Sequence, residues 1–467
     1  MHRSMLSHSL IVLALLLLAA CHNICHASQK AEDTAPAGAK SPLSQTELRT
    51  TDGAIALGNF EAQIAGEERL ASAGSLTVAQ RLRMVELLVM RGQFLGCIAD
   101  YERAEERAEQ LVRDAPTDGQ SFLARAQVHA VFHRFGAALA DLTEAERLGF
   151  QSDRIEALRA VIFQATGRYD EALALRQRLA QVRPDIRALG AEASVRADRE
   201  EIDMAESLFV KAQHYYRDVS PFPVAWLYVQ QGLMWMREDK LERARELFEA
   251  AHTRLPSYAT AQGHLAVVEA ALGRQAHTSA LLRMWMHEDK LERAWALFTA
   301  GQPRLPDAAE PERLAVLEAA LGRYERAITL LRPLAHRSDD PEYAAQLARI
   351  LGEVGQADEA HHWRDVAATR YDELMARHPE AFVDHAAAFW LAAGSDPHKG
   401  LLLAEQNLGM RKTPRAYELV LQAALATRDT ARVCRAAEHT RSVGQMGPRL
   451  QTLVSLALAV CGQPPVP

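Results

Sequence analysis

The sequence predicts an all-α protein built as a solenoid of stacked antiparallel helix pairs, and three observations predict it. The first is composition. The 467 residues are 48% apolar and 24% charged, with aromatics at only 6%. Ala and Leu dominate, which favours helix over sheet. The second is spacing: Ala, Gly and aromatic residues return in one registry every 34 residues, as in Ala104, Ala138 and Ala172. The third is an echo. MWMREDKLERAR at 234–245 returns as MWMHEDKLERAW at 284–295, and LAVVEAALGR at 265–274 returns as LAVLEAALGR at 314–323. Repetition of this kind builds interchangeable structural units rather than a single active site.

The clearest unit starts at Ala225. Tyr228, Gly232 and Trp235 recur at helical spacing, and Asp239 breaks the run. Leu241, Ala244, Phe248 and Ala251 form a second helix, which Pro256 closes. The same frame fits 85–118 (Gly92, Tyr101, Ala104, Pro116), 119–152 (Phe122, Ala126, Phe135, Ala138, Ala145) and 153–186 (Ala160, Phe163, Gly167, Tyr169, Ala172, Pro184). A degenerate unit at 186–219 carries Ala205, Phe209 and Ala212. Further units are expected at 225–258, 259–308, 308–341 (Gly322, Tyr324, Ala327) and 341–374 (Gly355, Ala360), followed by degenerate helical repeats to 462. The physical reason is close packing. Two helices approach closely only where a small side chain faces the neighbour, and Ala104, Ala138, Ala172, Ala205, Ala244, Ala327 and Ala360 hold that place.

This order of aromatic, Gly, aromatic, turn, aromatic, Ala, Phe, Ala and terminal Pro resembles the tetratricopeptide repeat, with Gln231 where Leu is usual. The resemblance implies a right-handed superhelix that binds proteins or peptides along a concave face formed by the first helix of each unit. On the 225–237 helix, the residues outside the packing pattern are Trp226, Val229, Leu233, Met236 and Arg237. They are the candidate groove; the other reading is that Trp226 and Met236 simply pack between units. Some members of the family grip a C-terminal carboxylate with Asn and Lys. Asn occurs here only at 23, 59 and 407, so that clamp is not expected.

Residues 1–27 read as an export signal: a short basic start, the apolar run LIVLALLLLAA and small residues after it. Leu18-Ala19-Ala20-Cys21 resembles the lipobox of bacterial lipoproteins, which implies lipidation at Cys21 and, with His22 next, outer-membrane sorting. Ordinary cleavage after Ala27 is the other reading. Residues 28–46 are small and polar and form a flexible tether. The expected location is the periplasmic side of the envelope, with the membrane reached through the lipid.

Catalytic grammar is sparse. No Gly-x-Ser-x-Gly elbow, phosphate-binding Gly-rich loop, His-Glu-x-x-His or Cys-x-x-Cys occurs. Cys21 to His26 approaches the c-type haem motif but places three residues between Cys21 and Cys25. His361, His362, His378, Asp384 and His385 are the densest set of possible metal ligands, spread over about two helices and read as surface side chains. Neither a catalytic residue nor a cofactor is therefore expected. Net charge is −7 with no basic patch, which argues against a nucleic-acid partner. The leading expectation is a non-enzymatic scaffold that recruits envelope proteins; the alternative is a periplasmic metal- or haem-carrying enzyme that docks through the solenoid. Cys434 and Cys461, on the last two helices, either form a disulfide or stand as two buried thiols, and Cys97 is left alone or paired with Cys25.

The echo implies a tandem duplication of about fifty residues, more than one repeat. Helices are expected near 259–272, 275–286, 290–301 and 308–321, with a seam near 275–310 where Thr278 replaces the packing Ala and the loop 301–306 absorbs the mismatch.

Overall fold

The computed structural model describes residues 48–72, 74, 76–286, 311–441 and 448–463. The expected export signal, Cys21, Cys25 and the expected tether 28–46 lie outside the described residues, as do 287–310. Twenty helices are described, and no strand among these residues. They are α1 (Gly53–Ser72), α2 (Val78–Leu95), α3 (Ile98–Asp114), α4 (Gly119–Val131), α5 (Phe135–Arg147), α6 (Asp153–Ala165), α7 (Tyr169–Val182), α8 (Ile186–Asp198), α9 (Ile202–His214) and α10 (Pro221–Arg237). The chain continues with α11 (Leu241–Arg254), α12 (Ala259–Met286), α13 (Pro311–Arg337), α14 (Pro341–Glu353), α15 (Ala357–Arg377), α16 (Pro379–Leu391), α17 (Pro397–Met410), α18 (Pro414–Thr427), α19 (Thr430–Arg441) and α20 (Pro448–Val460). Each packs on the next in sequence from α1 to α19, α20 packs on α18 and α19, and first helices also meet the first helix of the following unit, as in α2 on α4 and α8 on α10. That is a solenoid of stacked helix pairs.

The repeat frame explains where helices start and stop. First helices are capped by a side chain just before them: Asp118, Ser152, Asp185, Asp340 and Thr413 accept from backbone N–H groups of the opening turn. The second helices α5, α7, α9, α11 and α15 have no such cap, and a tight turn delivers the chain to them, whereas α17 and α19 are capped by Asp396 and Asp429. At the same place in five units the backbone is left-handed, at His133, Gly167, Glu200, Asp239 and Gly355. Three of these are not glycine, so the turn is imposed by the packing of the two helices it joins.

The small-residue column is buried as the spacing requires. Ala104, Ala138, Ala172, Ala205, Ala244 and Ala327 have no exposed surface, and Ala360 is nearly as closed. Ala172→Leu is therefore expected to lower stability by about 1–3 kcal/mol through overpacking. A denaturant midpoint equal to wild type would place Ala172 outside the helix crossing.

Two departures from regularity matter. The first helix, α1, reaches across to units far along the chain. Phe60 lies against Phe222 with ring centres 5.5 Å apart, the Thr51 N–H donates to the Val219 carbonyl at 2.7 Å, and Arg254 donates to the Leu48 carbonyl at 2.7 Å. The second lies at the duplication. Separate helices at 259–272 and 275–286 were expected; α12 runs through both without a break, and Thr278 lies within it. Likewise α13 continues through Gly322, where a unit turn was expected, and carries Pro333 inside it. The two long helices lie antiparallel: Arg323 pairs with Glu269 at 2.9 Å, and Arg337 donates to Gln262 at 2.7 Å. This corrects the expected pattern of short helices. An interior glycine costs only about 1 kcal/mol, and packing of one long helix along the other offsets it. The expected helix at 290–301 and the loop 301–306 lie outside the described residues.

Candidate binding groove

The five groove candidates sit on α10, and the structure buries all of them. Trp226 and Val229 have no exposed surface, and Leu233, Met236 and Arg237 expose 3–4%. What covers Trp226 is the preceding unit: a Cβ built on Gly190 of α8 would stand 2.8 Å from the indole ring. The glycine is there because the Trp226 ring occupies the space of a side chain. Arg237 donates to Asp198, at the end of α8, at 2.6 Å. This corrects the reading of an open face. These residues join units, because α10 is wedged between α8, α9, α11 and α12 and has no bare side.

The pairing of Arg237 is one rung of a row of polar contacts between successive first helices. Gln127 of α4 donates to Glu86 of α2 at 3.0 Å. Gln164 of α6 donates to Asp198 at 2.7 Å, and Asp198 receives Arg237 of α10 on its other oxygen. Ser194 of α8 meets Gln230 of α10 at 3.4 Å. A buried polar group is tolerated where it is hydrogen-bonded, and here successive units supply bonds to one another. The row fixes the register between units.

The histidine set divides. His361 and His362 are exposed, as expected, whereas His378 and His385 are buried, which corrects their reading as surface side chains. His385 stands beside Asp384 on α16, and Asp384 lies 3.1 Å from Arg411. Burial by itself would raise the Asp384 carboxyl, but Arg411, with His385 and Arg415, outweighs it and holds the group far below the usual range. Burial pushes His385 down to about 4, against the opposing pull of Asp384. The pair is a fixed carboxylate among guanidinium groups. Among the described residues no three His, Cys, Asp or Glu side chains converge as metal ligands.

At the chain's end Cys434 of α19 and Cys461 are joined by a disulfide, with Cα atoms 5.7 Å apart. Cys97 is a free, half-buried thiol at the start of α3. Burial first, and then the charges of Asp339 and Asp100, push it up to about 11. That proximity to Asp339 had no signal in the sequence, because it depends on how far the solenoid has turned.

No protein-family model matches the chain, and no curated protein matches it. Among solved structures, a human IFIT1 dimer with m7Gppp-AAAA is 13% identical, with 87% of this chain and 75% of that one covered at a TM-score of 0.35. Yeast Tom70 is 12% identical, with 87% and 93% covered, also at 0.35. The Naa15/Naa10 complex bound to HypK-THB is 13% identical, with 86% and 65% covered at 0.24. At such scores the likenesses carry no argument, and the fold rests on the chain's own helix contacts.

Proposed function

We propose that the chain is a non-enzymatic, tetratricopeptide-like scaffold that binds protein partners, exported and held at a bacterial envelope membrane through a lipid on Cys21. The observation that supports the scaffold reading is the buried alanine column, 0–7% exposed from Ala104 to Ala360. One packing unit used again and again builds a long surface, and its buried polar side chains are spent on holding units in register. The partner docks on surface other than Trp226–Arg237, since those residues are consumed between units. The anchor is supported by the Leu18–Cys21 motif, and the polar stretch 28–46 supplies a tether to the first described helix. No described helix is long and apolar enough to cross a membrane.

Two experiments test this reading. Crosslinking in intact envelopes, followed by purification of the tagged chain, is expected to recover the same envelope protein in stoichiometric amount from wild type. Recovery of no reproducible partner, or a stoichiometric metal or haem absorbance in the purified protein, would replace the scaffold with the enzyme reading. Separately, Cys21→Ala is expected to release the protein from membranes or to block its processing. Unchanged membrane fractionation and a mature N-terminus without lipid mass would remove the anchor.

A further inference from the structure

The solenoid turns far enough to meet itself. Asp339, in the loop before α14, accepts from the N–H groups of Ile98 and Ala99 at 2.6 and 2.8 Å and so caps α3 from 240 residues away. Ser338 donates to the Gly96 carbonyl. Arg377 pairs with Glu102, and the His378 ring stacks on Phe132 with centres 3.9 Å apart. Arg411 donates to His133 at 2.8 Å, and Gly167 approaches the Lys412 carbonyl. Each contact joins the first helices of the chain, or a turn between the two helices of an early unit, to a helix end or loop between units 240 to 278 residues later. Five described helix pairs, α4–α5 to α12–α13, lie between α3 and Asp339, so later units lie against the edge of the first ones.

We propose that this junction, residues 96–134 and 167 against residues 338–413, is a releasable latch: the coil opens there while its helix pairs stay folded. The reason is the chemistry of the two kinds of contact. Within a turn, neighbouring units share apolar cores of Ala, Leu and aromatic residues, and parting them exposes apolar surface. Across the junction the contacts are mainly hydrogen bonds and ion pairs. Arg377 and Glu102 are partly solvent-exposed, and water replaces such partners at little cost. The buried Asp384–Arg411 pair does not resist, because both side chains belong to the later units and travel together. The apolar part consists of Leu374, Ala381 and Phe382, which join the first core with Met375 against it, the Tyr343 ring beside Gly96, and Phe132 on His378.

Acid acts on the same latch through His133. An arginine only donates, so the His133 Nδ1 that receives Arg411 carries no proton. Protonation removes that acceptor, leaves Nδ1 the Glu380 carbonyl 3.3 Å away to donate to, and sets a second positive charge 2.8 Å from the guanidinium. The charged and titratable groups facing His133 are Arg411, Asp384 and His385, with the Glu380 carbonyl. Burial, then Arg411, holds its pKa well below the ordinary value, while an opened His133 titrates near about 6.5. The open form therefore binds the proton more readily, and the closed form loses ground as pH falls below that value. His378, the other buried histidine of the junction, faces Arg134 and Glu102.

Cys97 is a built-in reporter, since it is half-buried at the junction. In the full mature chain, the double variant Glu102→Ala/Arg377→Ala is expected to increase the radius of gyration in X-ray scattering. It should also label Cys97 several-fold faster with a maleimide, read by peptide mass, at unchanged helical circular dichroism. Wild type is expected to expand from about pH 7 to about pH 5, and His133→Gln, which still accepts from Arg411, is not. An unchanged radius and labelling rate in the double variant would overturn the latch, as would expansion only with loss of helix signal. Native-state hydrogen exchange of wild type decides the matter even if the variants fail to fold. Ile98 and Ala99 amides are expected to exchange through an opening that leaves 221–237 protected; exchange of both together refutes it. None of these readouts involves a partner, so the latch and the scaffold reading fail separately.

Discussion

Asp198→Ala is expected to destabilise the protein by about 3–5 kcal/mol, the loss typical when one member of a buried ion pair is removed. The side chains of Asp198 and Arg237 are 1% and 4% exposed and 2.6 Å apart. Removing the carboxylate leaves the Arg237 guanidinium buried without its counter-charge and takes the acceptor from Gln164, which donates to the second oxygen at 2.7 Å. The penalty falls on three consecutive units at once, because Gln164, Asp198 and Arg237 belong to α6, α8 and α10. The double replacement Asp198→Leu/Arg237→Met is expected to recover most of the loss, since apolar side chains of similar volume often substitute for a buried pair without cost. Denaturant unfolding with hydrogen exchange over 186–237 measures both. A single-mutant loss below about 1 kcal/mol, the range of a solvated pair, would show that the contact is open to water.

The second large effect has the opposite sign. Arg176→Leu is expected to raise stability by about 1–4 kcal/mol, the gain seen when buried ionic groups are replaced by well-packed apolar ones. Arg176 lies four residues after the packing Ala172, and the same place in other units holds Leu142, Phe209, Phe248 and Leu331, all fully buried. Arg176 is only 5% exposed, and its Nε and Nη2 atoms have no hydrogen-bond partner among the described residues. Burial alone pushes it down to about 9, with no carboxylate contributing. A charge is therefore buried where four other units bury a large hydrocarbon; the Arg364 at this place after Ala360 is not buried. The check is the unfolding midpoint of Arg176→Leu beside Arg176→Met. A loss of stability in both would mean that the guanidinium is satisfied by a group it holds in solution, and anion titration of wild type would then identify it.

The candidate groove shows where local reading stops. Trp226, Met236 and Arg237 were separable from the packing pattern by position on the helix, and an aromatic, a methionine and an arginine suit a binding surface equally well as an inter-unit contact. The deciding fact is that Gly190 lies against the indole ring, and nothing within α10 encodes that approach. His378 and His385 were misplaced for the same reason. Their neighbours Phe132, Glu102 and Arg411 are distant in sequence or on another helix.

The sequence by itself determined the unit. Small residues at Ala104, Ala138 and Ala172 and caps at Asp118, Ser152 and Asp185 follow from short-range rules that repeat with the chain. Tertiary structure decided the rest. Gly167-Arg168-Tyr169 turns the chain with a left-handed glycine, while the same three letters at Gly322-Arg323-Tyr324 lie inside an unbroken helix. The tripeptide permits either conformation at a difference of about 1 kcal/mol, and the neighbouring helix α12, with Glu269 gripping Arg323, selects the straight one. The junction of Asp339 with α3 is decided at a still larger scale. Small rotations between units add up over some 240 residues, and only their sum brings those two loops together.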